Sequence, residues 1–255
     1  MSPAKRRALF AALAKANPEP RGELVYSSEF ELLVAVVLSA QATDKSVNAA
    51  TKGLYAQART PAAILALGEE GLVAHIRTIG LFRTKARNIL ALCRALIEQH
   101  GGAVPRTREA LEALPGVGRK TANVVLNIAF GEPCIAVDTH VFRLANRTGL
   151  APGKNVRAVE DALHAAVPAA YLQHAHHWLI LHGRYVCKAR TPECWRCTIA
   201  RQCEFPEKTA APAAAPQVLP GRKPAPAAAP RAARQAGRKP PVAKSGSRKA
   251  AGRHV

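Results

Sequence analysis

No apolar run in this sequence approaches the ~20 residues that a membrane-spanning helix needs. The longest obvious one is Leu32 to Leu38. A helical membrane protein is therefore not expected. The basic residues near the start, Lys5 to Arg7, lead into no long apolar stretch, so no secretory leader is expected either. Strand signals are nearly missing, and there is no fixed-period repeat. Acids are scarce: 17 Asp and Glu stand against 37 Lys and Arg, for a formal net charge of +20 and a pI near 10.5. That balance points to a polyanionic partner, nucleic acid first and an anionic membrane surface second. Cysteine is sparse and uneven. Four of the six, Cys187, Cys194, Cys197 and Cys203, fall within 17 residues. This suits a metal site in a reducing, cytoplasmic compartment better than a secreted disulfide framework.

What is present is helical periodicity. With 48% hydrophobic residues, the 255-residue chain can bury a core as one domain or two. Phe30, Leu33, Val34, Val37 and Leu38 share one helical face behind a Ser28/Glu31 capping box. Asp44 is expected to cap the next helix. Thr60-Pro61 reads as a cap followed by proline at the first helical position. Phe82 to Ile97, Asn155 to Val167 and Tyr171 to Val186 carry further helices. The fold class is all-α. Residues 208–255 change character: mostly Ala, Pro, Gly, Lys and Arg, with eleven basic residues and no acid. That tail is too poor in large apolar residues to fold and is expected to be disordered.

One stretch stands out, Leu114-Pro-Gly-Val-Gly-Arg-Lys120. Pro115, Gly116 and Gly118 interrupt a helical pattern, with glycine supplying positive φ and proline removing a donor. A short helix from Thr107, then a longer one from Arg119 to Phe130, are predicted around a Gly-x-Gly hairpin. Backbone N–H groups there can approach an anion, helped by the positive end of the second helix. Lys120 falls in that helix's first turn. A cation there opposes the dipole, so stability alone would not choose it. Either a phosphate-contacting lysine or an amine nucleophile accounts for it, and the residues alone leave both open.

The cysteines follow C-x6-C-x2-C-x5-C, a spacing that can hold a [4Fe–4S] cluster or a tetrahedral zinc. Cys93 and Cys134 read as core. Asp138 is a good N-cap on its own account. His140, His174, His176, His177 and His182 read mainly as structural histidines.

The hairpin, Val137-Asp-Thr-His140 some twenty residues on, Gln41-Ala-Thr-Asp44 and the terminal cysteines occur in this order over roughly residues 5 to 205. Together they resemble the endonuclease III family of helix-hairpin-helix DNA glycosylases. The resemblance implies two helical domains flanking a DNA-binding cleft. Residues 22–132 would form a six-helix domain holding the helix-hairpin-helix at 107–130. Residues 1–21 plus 133–207 would form the cluster domain. It implies Lys120 as nucleophile and Asp138 as its partner. Gln41 and Leu81 would fill the gap left by an extruded base. Gly116, Val117, Gly118, Arg119, His140, Lys188 and Arg190 would contact DNA, though Thr191 and Glu193 make the last loop less basic than is common. The four cysteines would hold a [4Fe–4S] cluster. The implied activity is removal of oxidised pyrimidines from duplex DNA and β-elimination at abasic sites, by a monomer with no membrane partner. An adenine-mismatch glycosylase of the same superfamily is an alternative, although that group generally lacks the lysine. A non-catalytic DNA-binding or redox-sensing protein is a second, and would need neither Lys120 nor Asp138.

Overall fold

Side-chain caps set where most helices begin. The structure, a computed structural model, describes residues 1–212, which fall in one compact unit. The basic tail lies almost wholly outside the described residues. In chain order the helices are α1 (Pro3–Ala16), α2 (Glu29–Leu38), α3 (Asp44–Gln57), α4 (Pro61–Ile76) and α5 (Phe82–His100). There follow α6 (Arg108–Glu112), α7 (Arg119–Phe130), α8 (Thr139–Thr148), α9 (Val156–Ala166) and α10 (Leu172–Tyr185). No strand occurs among the described residues, so the all-α expectation holds. Seven of these helices start on a Ser, Thr, Asp or Asn whose side chain accepts a main-chain N–H. Such a cap is worth about 1 kcal/mol.

Two local expectations need adjusting. The cap of α3 is Thr43, accepting from Ser46 N, while Asp44 is the first helical residue and its carboxylate goes elsewhere. The Ser28 hydroxyl does accept from Glu31 N at 3.1 Å, but the Glu31 carboxylate turns back to Ser27 N and Oγ, one residue earlier than a capping box would have it. Gly68 (φ 67°) breaks α4 into two segments, a kink that periodicity did not foretell.

The apolar faces gather into two principal cores. One is built from α2 to α7, with Leu33, Leu38, Leu54, Ile64, Leu72, Ile89, Leu92 and Val125 fully buried. The other joins α1 to α8, α9 and α10 through Phe10, Leu144, Leu163 and Leu179, with Phe10, Tyr171 and Trp178 in ring contact. A small third group, Leu32, Val36, Val124 and Ala136, sits on the far sides of α2 and α7. The helix α7 thus buries Val124 as well as Ala122 and Val125, as its all-round apolar pattern requires.

Candidate functional site

Three of the ten α-helices begin without a side-chain cap, α5 at Leu81, α7 at Gly118 and α10 at Tyr171. At α7, the first-turn N–H groups therefore have no partner of their own. The hairpin before it is tied by Val117 N donating to Leu114 O at 3.1 Å, with the Val117 side chain buried. The two glycines differ. Gly116 has φ 79°, and a methyl group there would lie 3.0 Å from Asn88 Cβ. Gly118 has φ −98°, which any residue can adopt, and a methyl group there would meet nothing within 4 Å. No contact among the described residues requires glycine at 118.

Lys120, exposed in the first turn of α7, and Asp138, half-buried at the cap of α8, line the same cavity of about 630 Å³. Gln41, Gly80 and His140 line it too. One oxygen of Asp138 accepts both His140 N at 2.9 Å and Val141 N at 2.8 Å. Its other oxygen is thereby left for different partners. Lys120 also borders a second cavity of about 670 Å³, lined by Tyr26, Val36, Val124, His176 and Leu181 among others. The lysine stands where the two meet.

Gln41 lines the cavity and Leu81 directly follows Gly80, which also lines it; both are exposed and both have left-handed backbones, φ 55° and 60°. Leu81 is 60% exposed, which disposes of a core-packing role. Beside them lie residues that sequence reading passed over. Arg184 donates to Glu23 at 2.8 Å and pairs with Asp44. Asn48 pins the loop that carries Glu23, accepting Val25 N at 2.9 Å and donating to Glu23 O at 2.8 Å. Neither link has a local signature, since the partners are far apart in sequence.

His176 is buried and its Nδ1 lies 3.0 Å from Ala136 O. Burial first, then the neighbouring charges of His177 and Lys120, pushes it down to about 3. It is a neutral wall of the cavity rather than a charge carrier.

Arg119 is held by Glu160, Nε to Oε1 at 2.9 Å and Nη2 to Oε1 at 2.8 Å, which ties α7 to α9. Its guanidinium is occupied, whereas its main-chain N–H remains at the open helix start. In the terminal loop Lys188 donates to Glu193 at 2.6 Å, and Arg196 pairs with the same carboxylate. Arg190 is exposed and makes no ion pair among the described residues.

Cys187, Cys194, Cys197 and Cys203 all border one small apolar cavity, closed by Leu144, Val186, Ile199 and Phe205. Arg147 Nη1 lies 3.5 Å from Cys187 Sγ, His182 Nε2 lies 3.3 Å from Cys197 Sγ, and Phe205 N donates to Cys203 Sγ at 3.5 Å. Burial pushes the Cys197 thiol up to about 11 and Cys203 in the same direction. Thiolates become favourable there only if a cation replaces the protons. Among the described residues no three His, Cys, Asp or Glu side chains converge on one ion position. Thr209 holds the loop from behind, accepting Cys194 N at 3.2 Å and donating to Pro192 O.

Comparison with known proteins agrees with this arrangement. Residues 34–169 match the model of the HhH-GPD superfamily of base excision DNA repair proteins. Endonuclease III of Escherichia coli strain K12 is 61% identical over 208 residues, covering 82% of this chain and 99% of that protein. Endonuclease III of Treponema pallidum is 57% identical over 196 residues, covering 77% and 93%. A solved structure of a trapped endonuclease III–DNA covalent intermediate superposes with a TM-score of 0.75 at 47% identity, covering 80% of this chain and 97% of that one. A non-covalent endonuclease III–DNA complex gives 0.76, again at 47% identity. The chain belongs to the HhH-GPD superfamily of base excision DNA repair proteins, and within it to the endonuclease III family.

Proposed function

We propose that this protein removes oxidised or reduced pyrimidines from duplex DNA and then cuts the strand 3′ to the resulting abasic site. The observation that carries the reading is the shared cavity of Lys120 and Asp138 at the open end of the hairpin. A damaged nucleotide is drawn out of the stack, because its C1′ cannot be reached inside a duplex. Its base is received by the second cavity, beyond Lys120. Gln41 and Leu81 enter the space that it leaves. The uncapped start of α7 holds a phosphate, and the bare Gly118 lets that phosphate close in on the backbone. Arg119 serves through its N–H, its guanidinium being committed to Glu160. His140 and Arg190 add contacts at the edges, and Lys188 adds less, since Glu193 competes for it.

Lys120 Nζ attacks C1′ as the glycosidic bond breaks, and the base leaves with the bonding pair. Asp138 stabilises the positive charge that develops on the sugar and takes up the proton that the amine loses. Ring opening gives a Schiff base between Lys120 and C1′. Loss of a C2′ proton then expels the 3′ phosphate, and water releases the lysine.

Cys187, Cys194, Cys197 and Cys203 would hold a [4Fe–4S] cluster. Raised thiols sharing one apolar cavity, with N–H groups aimed at three sulfurs, support this, as does the likeness to endonuclease III. Its contribution would be to staple the terminal loop beside α8 and α10. The two apolar cores support a division into two helical lobes, and the bacterial relatives support action on DNA in the cytoplasm.

Borohydride reduction in the presence of abasic duplex DNA tests the proposal. The protein should become covalently joined to the strand, Lys120→Ala should not, and both should bind the duplex. Undiminished trapping by Lys120→Ala would overturn the assignment.

A further inference from the structure

Lys85 is 5% exposed and has no carboxylate within ion-pairing distance among the described residues. Few lysines are buried without a counter-charge, because an unpaired ammonium is expensive to desolvate. Its Nζ instead donates to two carbonyls, Leu38 O at 2.9 Å and Ala40 O at 2.6 Å. These lie at the C-terminal end of α2 and just past it, where orphan carbonyls and the negative end of the helix dipole favour a cation. Burial nevertheless holds the ammonium below the usual lysine range.

The positions of those partners matter. Ala40 immediately precedes Gln41. Lys85 lies one helical turn after Leu81, and its own N–H donates to Leu81 O at 3.0 Å. A single residue therefore grips Leu81 through its main chain and the approach to Gln41 through its side chain. Leu81 itself and Gln41, the neighbour of the gripped Ala40, hold left-handed backbones, a conformation that L-residues keep only when the surroundings enforce it.

We propose that Lys85 is a positioning residue for the two gap-filling side chains, clamping the end of α2 to the first turn of α5 so that Gln41 and Leu81 stay at one fixed separation. This inference rests on the functional reading above, in which those side chains enter an emptied stack. It predicts a defect confined to substrates that have a stack to fill.

The test compares two substrates under single-turnover conditions with enzyme in excess. One is a duplex carrying an oxidised pyrimidine; the other is a single strand carrying an abasic site, which has no partner strand and no gap. Lys85→Met keeps the length and loses the charge and the donors. It should slow excision from the duplex at least tenfold and cleavage of the abasic single strand less than threefold. Lys85→Gln retains an N–H donor group and should fall between Lys85→Met and the parent on the duplex; it also carries the comparison if the Met variant does not fold. Equal losses on the two substrates would reduce Lys85 to a structural residue, and an unchanged duplex rate would remove it from the mechanism; either overturns the proposal. Failure of the parent protein to cut the abasic strand would count against the functional reading itself, which the comparison of variants does not touch.

Discussion

Gln41 and Leu81 are the two non-glycine residues with positive φ among the described residues, and their loops abut: a methyl group on Gly80 would lie 3.9 Å from the Gln41 carbonyl oxygen. Forty residues separate them in the chain. A left-handed backbone costs an L-residue roughly 1–2 kcal/mol. Gln41→Gly should therefore leave the unfolding free energy unchanged or raise it by about 1 kcal/mol. Excision from duplex DNA should nonetheless slow, because glycine has nothing to insert. Denaturant unfolding and single-turnover excision on one preparation check both halves; an unimpaired rate would take Gln41 out of the gap.

Asp138 caps α8 and, in the proposed reaction, also faces developing positive charge. Asparagine is as good a cap, so Asp138→Asn should change stability by less than about 0.5 kcal/mol. Base release should fall about 100-fold or more, as when one electrostatic partner of a transition state is removed. A rate close to the parent's would leave Asp138 a cap and nothing else.

The hairpin glycines should separate stability from binding. Gly116→Ala forces a left-handed alanine against Asn88 and should cost about 1–3 kcal/mol. Gly118→Ala meets no atom among the described residues, and as the N-cap of α7 it should cost no more than about 1 kcal/mol. If a phosphate does sit at the start of α7, Gly118→Ala should weaken DNA affinity all the same. Unaltered affinity would place the phosphate elsewhere.

His176 makes stability pH-dependent. It titrates near 6.5 when unfolded and at about 3 when folded, so the unfolded chain binds a proton that the folded chain refuses. The stabilisation is complete above about 6.5 and drains away as the pH falls, by up to ~1.4 kcal/mol per unit. His176→Gln should flatten the dependence between about pH 6 and 5 by roughly that slope. Matching slopes for the two proteins would mean that His176 is not held neutral.

Purified protein should be yellow-brown and contain about four irons per chain. Cys197→Ser should lose colour and iron, and the terminal loop should become sensitive to protease. Stoichiometric zinc without iron would overturn the cluster.

Local signals carried much of this protein in plain view. Caps at Thr60, Thr107, Asp138 and Asn155, the 3.6-residue periodicity, the Gly-x-Gly interruption and the cysteine spacing all act over a few residues, so the sequence determines them directly. Lys120 stands out by its electrostatically odd position, and Asp138 by its place in an order of motifs that resembles the family's. What only the tertiary structure decided are pairings between distant segments: Arg184 with Asp44, Arg119 with Glu160, Lys85 with the end of α2, and Gln41 beside Gly80. Asp44 shows why. Its sequence position suits a cap, yet Thr43 takes that role and leaves the carboxylate for an arginine 140 residues away. Which oxygen, ammonium or guanidinium a side chain meets depends on how apolar faces pack, and packing is a property of the whole core rather than of any stretch within it.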